Sequence, residues 1–210
     1  MTRIVYLVDD DPRVREALCD LLAAAGLECR AYATAQDYLA NQRTLGPACL
    51  ILDIELPDTN GLDLQHMVAG EEHPPIVFLT GRGDIPSSVR AMKSGAVDFL
   101  TKPVRGEVLI GAVRDALERD GIERSARAEL AALEQRLATL TPREREVLPL
   151  IVSGLLNKQA AAELGISEPT LEIHRSRIMR KMAADSLPDL VRIAEKLKVP
   201  VTHSRRSGAL

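Results

Sequence analysis

What the chain lacks narrows the field first. No apolar run approaches the roughly 20 residues needed to span a bilayer, and the first residues enter a strand-like run that leaves no room for a secretory leader. Cysteine is scarce. Cys19, Cys29 and Cys49 are odd in number, form no C-x-x-C pair and sit inside apolar stretches; three small buried hydrophobes without a metal or redox role are expected. There is no internal repeat and no low-complexity segment. These absences point to a cytosolic globular chain, and 210 residues fit two domains of ~100 residues each.

Nor does one sign of charge dominate, since the net charge is −3. The halves differ, however. Residues 1–120 carry 12 Lys+Arg against 19 Asp+Glu, a balance of −7, whereas residues 121–210 carry 15 against 11, a balance of +4. An acidic half joined to a basic half places any contact with nucleic acid in the second.

The first 120 residues alternate short apolar strands, near 3–8, 28–32, 48–52, 75–79 and 96–100, with amphipathic helices near 12–25, 35–41, 62–70, 85–94 and 104–119. That order reads as a (βα)5 doubly wound parallel sheet. Asp11 caps the first helix and Pro12 suits its first position, where the missing N–H costs nothing. Residues 121–139 form a helical linker whose seam, Ala126, Leu130, Leu133, Leu137 and Leu140, steps by 4, 3, 4 and 3. It spans only about two heptads. Such a helix either lies on a neighbouring domain or pairs across a dimer.

Residues 140–198 read as four helices. Thr141-Pro142-Arg143-Glu144 is a capping box with Pro at the first helical position. A short helix, Lys158 to Leu164, ends at Gly165, and Ser167 opens another that runs to about Met182. Ser186 opens the last, to about Leu197, and residues 199–210 form a polar tail. The fold class is thus α/β with a separate all-α domain.

Chemistry gathers at the strand ends. Ile4–Val8 leads to Asp9-Asp10-Asp11, Ala48–Leu52 to Asp53, Pro75–Leu79 to Thr80-Gly81, and Ala96–Thr101 to Lys102-Pro103. In an open parallel sheet these endings share the carboxyl edge, where ligand sites form. One Asp at a strand end is an ordinary turn former; acid, acid, hydroxyl and Lys-Pro together describe a phosphorylation site. Asp9, Asp10, Asp53 and the backbone carbonyl of Glu55 offer the hard oxygens that suit Mg²⁺. Lys102 supplies a cation and Thr80 a hydroxyl for phosphoryl oxygens. An aspartyl-phosphate phosphatase is the competing chemistry. Enzymes of the haloacid-dehalogenase type carry a second Asp two residues after the nucleophile; Glu55 stands there, so no enzyme is expected.

The stretches Leu7-Val8-Asp9-Asp10-Asp11, Leu52-Asp53-Ile54-Glu55-Leu56-Pro57, Leu79-Thr80-Gly81 and Gly95–Pro103 resemble a response-regulator receiver domain over residues 1–120. The resemblance implies a flavodoxin-like fold, phosphorylation of Asp53 by a histidine kinase, and a Mg²⁺ site built by Asp9 and Asp10. It also implies a cis bond before Pro103 that places the Lys102 ammonium, and a switch in which Phe99 turns inward as Thr80 moves toward the phosphate. Glu55 and Arg82, two residues beyond Asp53 and Thr80, are expected to pair across the site mouth and slow hydrolysis.

In the second half, Leu140–Leu148, Gly154–Ala161, Ile166–Arg175, Lys181-Met182 and Ser186–Leu190 resemble a LuxR-type helix-turn-helix. A receiver followed by this domain is similar to the FixJ/NarL class, nearest its FixJ-like branch. Helical spacing turns Leu171, His174, Ile178 and Met182 inward; Glu172, Ile173, Ser176, Arg177 and Arg180 lie toward the other side. The resemblance implies phosphate contacts at Lys158, Thr170 and Lys181, and base contacts around Glu172, Ile173, Ser176 and Arg177. Double-stranded DNA with a two-fold site, a partner kinase and a homodimer on phosphorylation are the implied partners, with no membrane. Pro149, Ala160 and Gly111 depart from the family's pattern without removing a functional group. The alternative is a phosphorylation-independent DNA binder that uses the receiver as a dimerisation scaffold.

Overall fold

The apolar runs of the first half pair as one parallel sheet: β1 (Ile4–Val8), β2 (Glu28–Tyr32), β3 (Ala48–Leu52), β4 (Ile76–Thr80) and β5 (Asp98–Thr101), in the order β2-β1-β3-β4-β5. The computed structural model describes residues 3–41, 46–68, 73–81 and 84–200. Between the strands run α1 (Pro12–Ala24), α2 (Ala35–Leu39), α3 (Gly61–Val68) and α4 (Ile85–Lys93), and α5 (Gly106–Ala138) follows β5.

β1, β3 and β4 are buried at every position, as central strands covered on both faces must be. Alternate side chains therefore build two separate layers. Tyr6, Val8, Leu50, Leu52 and Phe78 pack with Tyr38, Leu62, Leu64 and Ala91 of α2–α4. On the opposite face Val5, Leu7, Ile51, Val77 and Leu79 meet Leu18 and Leu22 of α1 and Leu109, Val113 and Leu117 of α5. Each fully buried aliphatic side chain contributes on the order of 2 kcal/mol. A one-residue slip of register would turn all of them over.

Two expectations change here. The fifth receiver helix and the linker helix are one: α5 runs unbroken for 33 residues. Gly121 does not interrupt it, because a helical glycine costs only about 1 kcal/mol and local contacts offset that. The buried Asp120 accepts from the Ala48 N–H at 2.8 Å and from Arg124 Nε at 2.6 Å. The second change concerns cysteine. Cys49 is a buried free thiol, but half-buried Cys19 of α1 and Cys29 of β2 are joined in a disulfide with Cα atoms 5.4 Å apart. Tertiary packing had brought together two positions that their local context left unpaired.

The chain divides into two units, Met1–Ser125 and Ala126–Leu210. In the second, α6 (Pro142–Val152), α7 (Asn157–Leu164), α8 (Glu168–Met182) and α9 (Leu187–Lys196) enclose their own core. The capping box at its start is complete: the Thr141 N–H donates to Glu144 Oε2 at 2.8 Å and the Glu144 N–H to Thr141 Oγ1 at 3.3 Å. Pro149 lies inside α6 without ending it, and the helix stops three residues later. Leu133, Leu137 and Leu140 of the seam join this core, whereas Ala126 and Leu130 stay exposed. Three of the five seam positions thus lie on the helical core. Residues 201–210 of the expected tail fall outside the described residues.

Candidate functional site

The parallel register delivers the strand ends to one edge. The ligand atoms of Asp9, Asp10 and Asp53 all lie within 4.8 Å of one another; Asp9 and Asp53 are buried and Asp10 is exposed. Lys102 Nζ donates to Asp9 Oδ2 at 2.5 Å and to Asp53 Oδ2 at 2.6 Å. The Lys102–Pro103 bond is cis. Buried Thr80 ends β4 opposite Thr101, and its carbonyl accepts the Lys102 N–H at 2.8 Å. Phe99 is half-buried against Phe78, with ring centroids 6.2 Å apart.

The charges answer to this packing. Burial pushes the Asp9 carboxyl above the usual carboxylate range, outweighing the opposite pull of Lys102. Burial alone would depress the Lys102 ammonium, but its hydrogen bonds to Asp53 and Asp9 and their charges prevail, so its pKa stands above the ordinary lysine value. Three clustered carboxylates, one open to solvent, form a hard-oxygen donor set that fits a divalent cation retaining several waters. Glu55 is exposed, and its N–H donates to Asp53 Oδ1 at 3.2 Å. Arg82, its expected partner, lies outside the described residues.

Two residues of this site escaped the sequence reading. Arg15 Nη1 donates to the carbonyls of Asp9 at 2.7 Å and Asp10 at 2.9 Å, holding the acidic loop in place. The available signal was a cation near a helix N-terminus, the end where the macrodipole disfavours it. Gly61 is the other. Its N–H donates to the Ile54 carbonyl at 2.8 Å, and a Cβ there would stand 2.3 Å from the Asp53 carbonyl oxygen. The Asn60-Gly61 pair was its turn signal.

In the second unit α7 and α8 are joined by Gly165, whose φ of 64° suits a residue without a side chain. Leu171, Ile178 and Met182 are buried, and His174 is half-buried. Glu172, Ile173, Ser176, Arg177 and Arg180 are all exposed, as is Lys158. The Thr170 hydroxyl shares a 2.7 Å hydrogen bond with Ser167 Oγ. Lys181, expected to contact phosphate, also holds the unit together. Its ammonium donates to Glu144 Oε2 at 2.6 Å and to the Thr139 carbonyl at 3.0 Å, so it braces α8 on α6. A further network was missed: Arg175 Nη1 donates to Asn157 Oδ1 at 3.1 Å, and Asn157 Nδ2 to Glu172 Oε1 at 3.4 Å.

Residues 5–114 match the response regulator receiver domain, and residues 138–194 match the luxR family of bacterial regulatory proteins. Nodulation protein W of Bradyrhizobium diazoefficiens is 45% identical over 205 residues, covering 97% of this chain and 90% of that protein. The transcriptional regulatory protein FixJ of Azorhizobium caulinodans is 42% identical over 194 residues, 90% of each chain. Among solved structures, the response regulator StyR is 43% identical, with a TM-score of 0.85 over 93% of this chain and 100% of that one. Receiver domains bind Mg²⁺ at an acidic pocket of the kind described above. Among the described residues no helix is long and apolar enough to cross a membrane. Carrying both family signatures in sequence and relatives matched almost end to end, the chain belongs to the two-component response regulators of the FixJ/NarL class, a receiver followed by a LuxR-type DNA-binding domain.

Proposed function

We propose that Asp53 is the phosphoryl acceptor and that its phosphorylation by a histidine kinase controls DNA binding by the second unit. One observation carries this reading: the Asp53 carboxylate meets the Lys102 ammonium at 2.6 Å inside a cluster of three acids. An Asp53 oxygen attacks phosphorus, and the new O–P bond forms as the donor's N–P bond breaks. Asp9, Asp10, Asp53 and the Glu55 carbonyl would hold Mg²⁺, which when bound neutralises charge on the phosphoryl oxygens. Lys102 exchanges a carboxylate contact for a phosphoryl oxygen, and the Thr80 hydroxyl donates to another. Since Thr80 and Lys102 adjoin β5, their movement reaches Phe99 and the face of α4. Ile85, Val89 and Met92 of that helix are exposed, which supports homodimerisation there on phosphorylation.

On DNA, the outer face of α8 supplies base contacts from Glu172, Ile173, Ser176 and Arg177. Lys158, Thr170 and Arg180 reach phosphates. The site on DNA is two-fold and the protein works where the chromosome lies, in the cytoplasm. In this reading residues 1–120 act as the receiver, 121–139 as the linker helix and 140–198 as the DNA-binding domain. Glu55 and Arg82 tune the lifetime of the phosphate.

The test is DNA affinity and solution mass with and without a small phosphodonor and Mg²⁺. Phosphodonor should raise affinity five- to 150-fold, the span of a typical coupling of about 1–3 kcal/mol, and should double the mass. Asp53→Ala should abolish both responses. Affinity indifferent to phosphodonor and to Asp53→Ala would establish the scaffold reading instead. In the same assay Glu55→Ala should shorten the lifetime of the phosphoprotein, and an unchanged lifetime removes that role.

A further inference from the structure

We infer that Cys19 and Cys29 form a reversible oxidant-responsive modification site on the receiver, distinct from the phosphorylation site. The two residues belong to different elements, α1 and β2, and are 10 apart in sequence. Their Cα separation of 5.4 Å lies within the range a disulfide requires. Both are half-buried, hence open to a small reagent, while Cys49 is fully buried. Burial also pushes the Cys49 thiol far up, so it stays protonated and unreactive. The chain thus contains a reactive pair and an inert internal reference.

DNA-binding regulators act in a compartment that keeps thiols reduced, where a disulfide is a transient sensing state rather than a permanent staple. A peroxide closes it in two steps. One thiolate attacks the O–O bond of hydrogen peroxide, giving a sulfenic acid and, after protonation, water. The second thiol then attacks that sulfur, forming the S–S bond and releasing a second water. Two thiols are oxidised and one peroxide is reduced; a dithiol reductant reverses the change.

The bridge closes a loop that contains the end of α1 and the turn into β2. Both elements also border the acidic cluster at their other ends: Asp11 caps α1, and the Tyr32 carbonyl accepts the Asp9 N–H at 3.2 Å. Oxidation therefore stiffens the flank of the site without occupying it. A loop of this length should raise the Tm of the receiver transition by ~5–10 °C.

The experiment treats the full-length protein with hydrogen peroxide, then maps peptides without reduction and follows thermal unfolding. A Cys19–Cys29 peptide, the rise in Tm and reversal of both by dithiothreitol are expected. Cys49→Ser should behave like the parent, and Cys19→Ser or Cys29→Ser should lose the bridge and the rise. Separate oxidation of the two thiols, bridging between molecules, or an unchanged Tm after bridging would overturn the inference. Should the Cys19 variant fail to fold, the parent and Cys49→Ser still decide it by peptide mapping. None of these readouts uses phosphorylation or DNA, so the outcome is independent of the signalling function.

Discussion

Replacing Gly61 with Ala should displace Asp53 and cost the receiver about 3 kcal/mol. The added methyl would stand 2.3 Å from the Asp53 carbonyl oxygen and 3.0 Å from the Ile54 Cα. Both are backbone atoms, so no side chain can swing away, and overpacking of this kind typically costs 1–3 kcal/mol or somewhat more. The move needed to relieve it carries the Asp53 carboxylate out of register with Lys102. Misplacement by ~1 Å can lower a reaction roughly 100-fold, so labelling by a small phosphodonor should fall far more than stability does. Gly111→Ala is the counterpart. Nothing lies within 4 Å of its added Cβ, and an exposed helical position should gain about 0.5–1 kcal/mol. Urea unfolding and phosphodonor labelling of the two variants check both statements; parental behaviour in Gly61→Ala would mean the loop yields freely.

Lys181→Ala should destabilise the second unit by about 1.5–3 kcal/mol, the worth of a hydrogen bond to a charged group. The substitution leaves the Glu144 carboxylate, whose side chain is only 2% exposed, with the Thr141 N–H as a remaining donor. The hydrogen bond from Lys181 leads the contacts that hold the Glu144 pKa at about 2, against an ordinary 4.5. A depressed carboxylate pKa stabilises the folded state fully above the unfolded value and loses that contribution as pH falls through the folded one. Glu144 should therefore contribute stability at neutral pH that declines between pH 4.5 and about 2. In Glu144→Gln the acid-induced loss over that window should flatten. A phosphate-contacting Lys181 would behave otherwise: folding would be intact and the salt slope of DNA binding would drop by about 1. Unfolding monitored by circular dichroism across the pH range separates the two.

Much of the site could be read from residue order because its parts sit at points where structure changes. Asp9, Asp53, Thr80 and Lys102 each follow an apolar run, and a parallel sheet aligns such ends whatever the loops do. The inward face of α8 was legible for a similar reason, since Leu171, Ile178 and Met182 repeat at helical spacing. What escaped depends on contacts between distant segments. Arg15 looked like one more charge on an exposed helix until its two carbonyl partners were in place. The contact of Lys181 with Glu144 could not be read locally, because the capping pair Thr141 and Glu144 lies 37 or more residues away. Cys19 and Cys29 meet because α1 folds back along β2, which no local pattern records. Gly121 lies within α5 without breaking it, because Asp120 and Arg124 secure the backbone on either side of it.

The bond from the Lys102 N–H to the Thr80 carbonyl joins hydroxyl and ammonium by the main chain itself. A main-chain shift at either residue is therefore felt at the other, so on the proposed phosphorylation of Asp53 the two groups would act as prongs on one backbone frame.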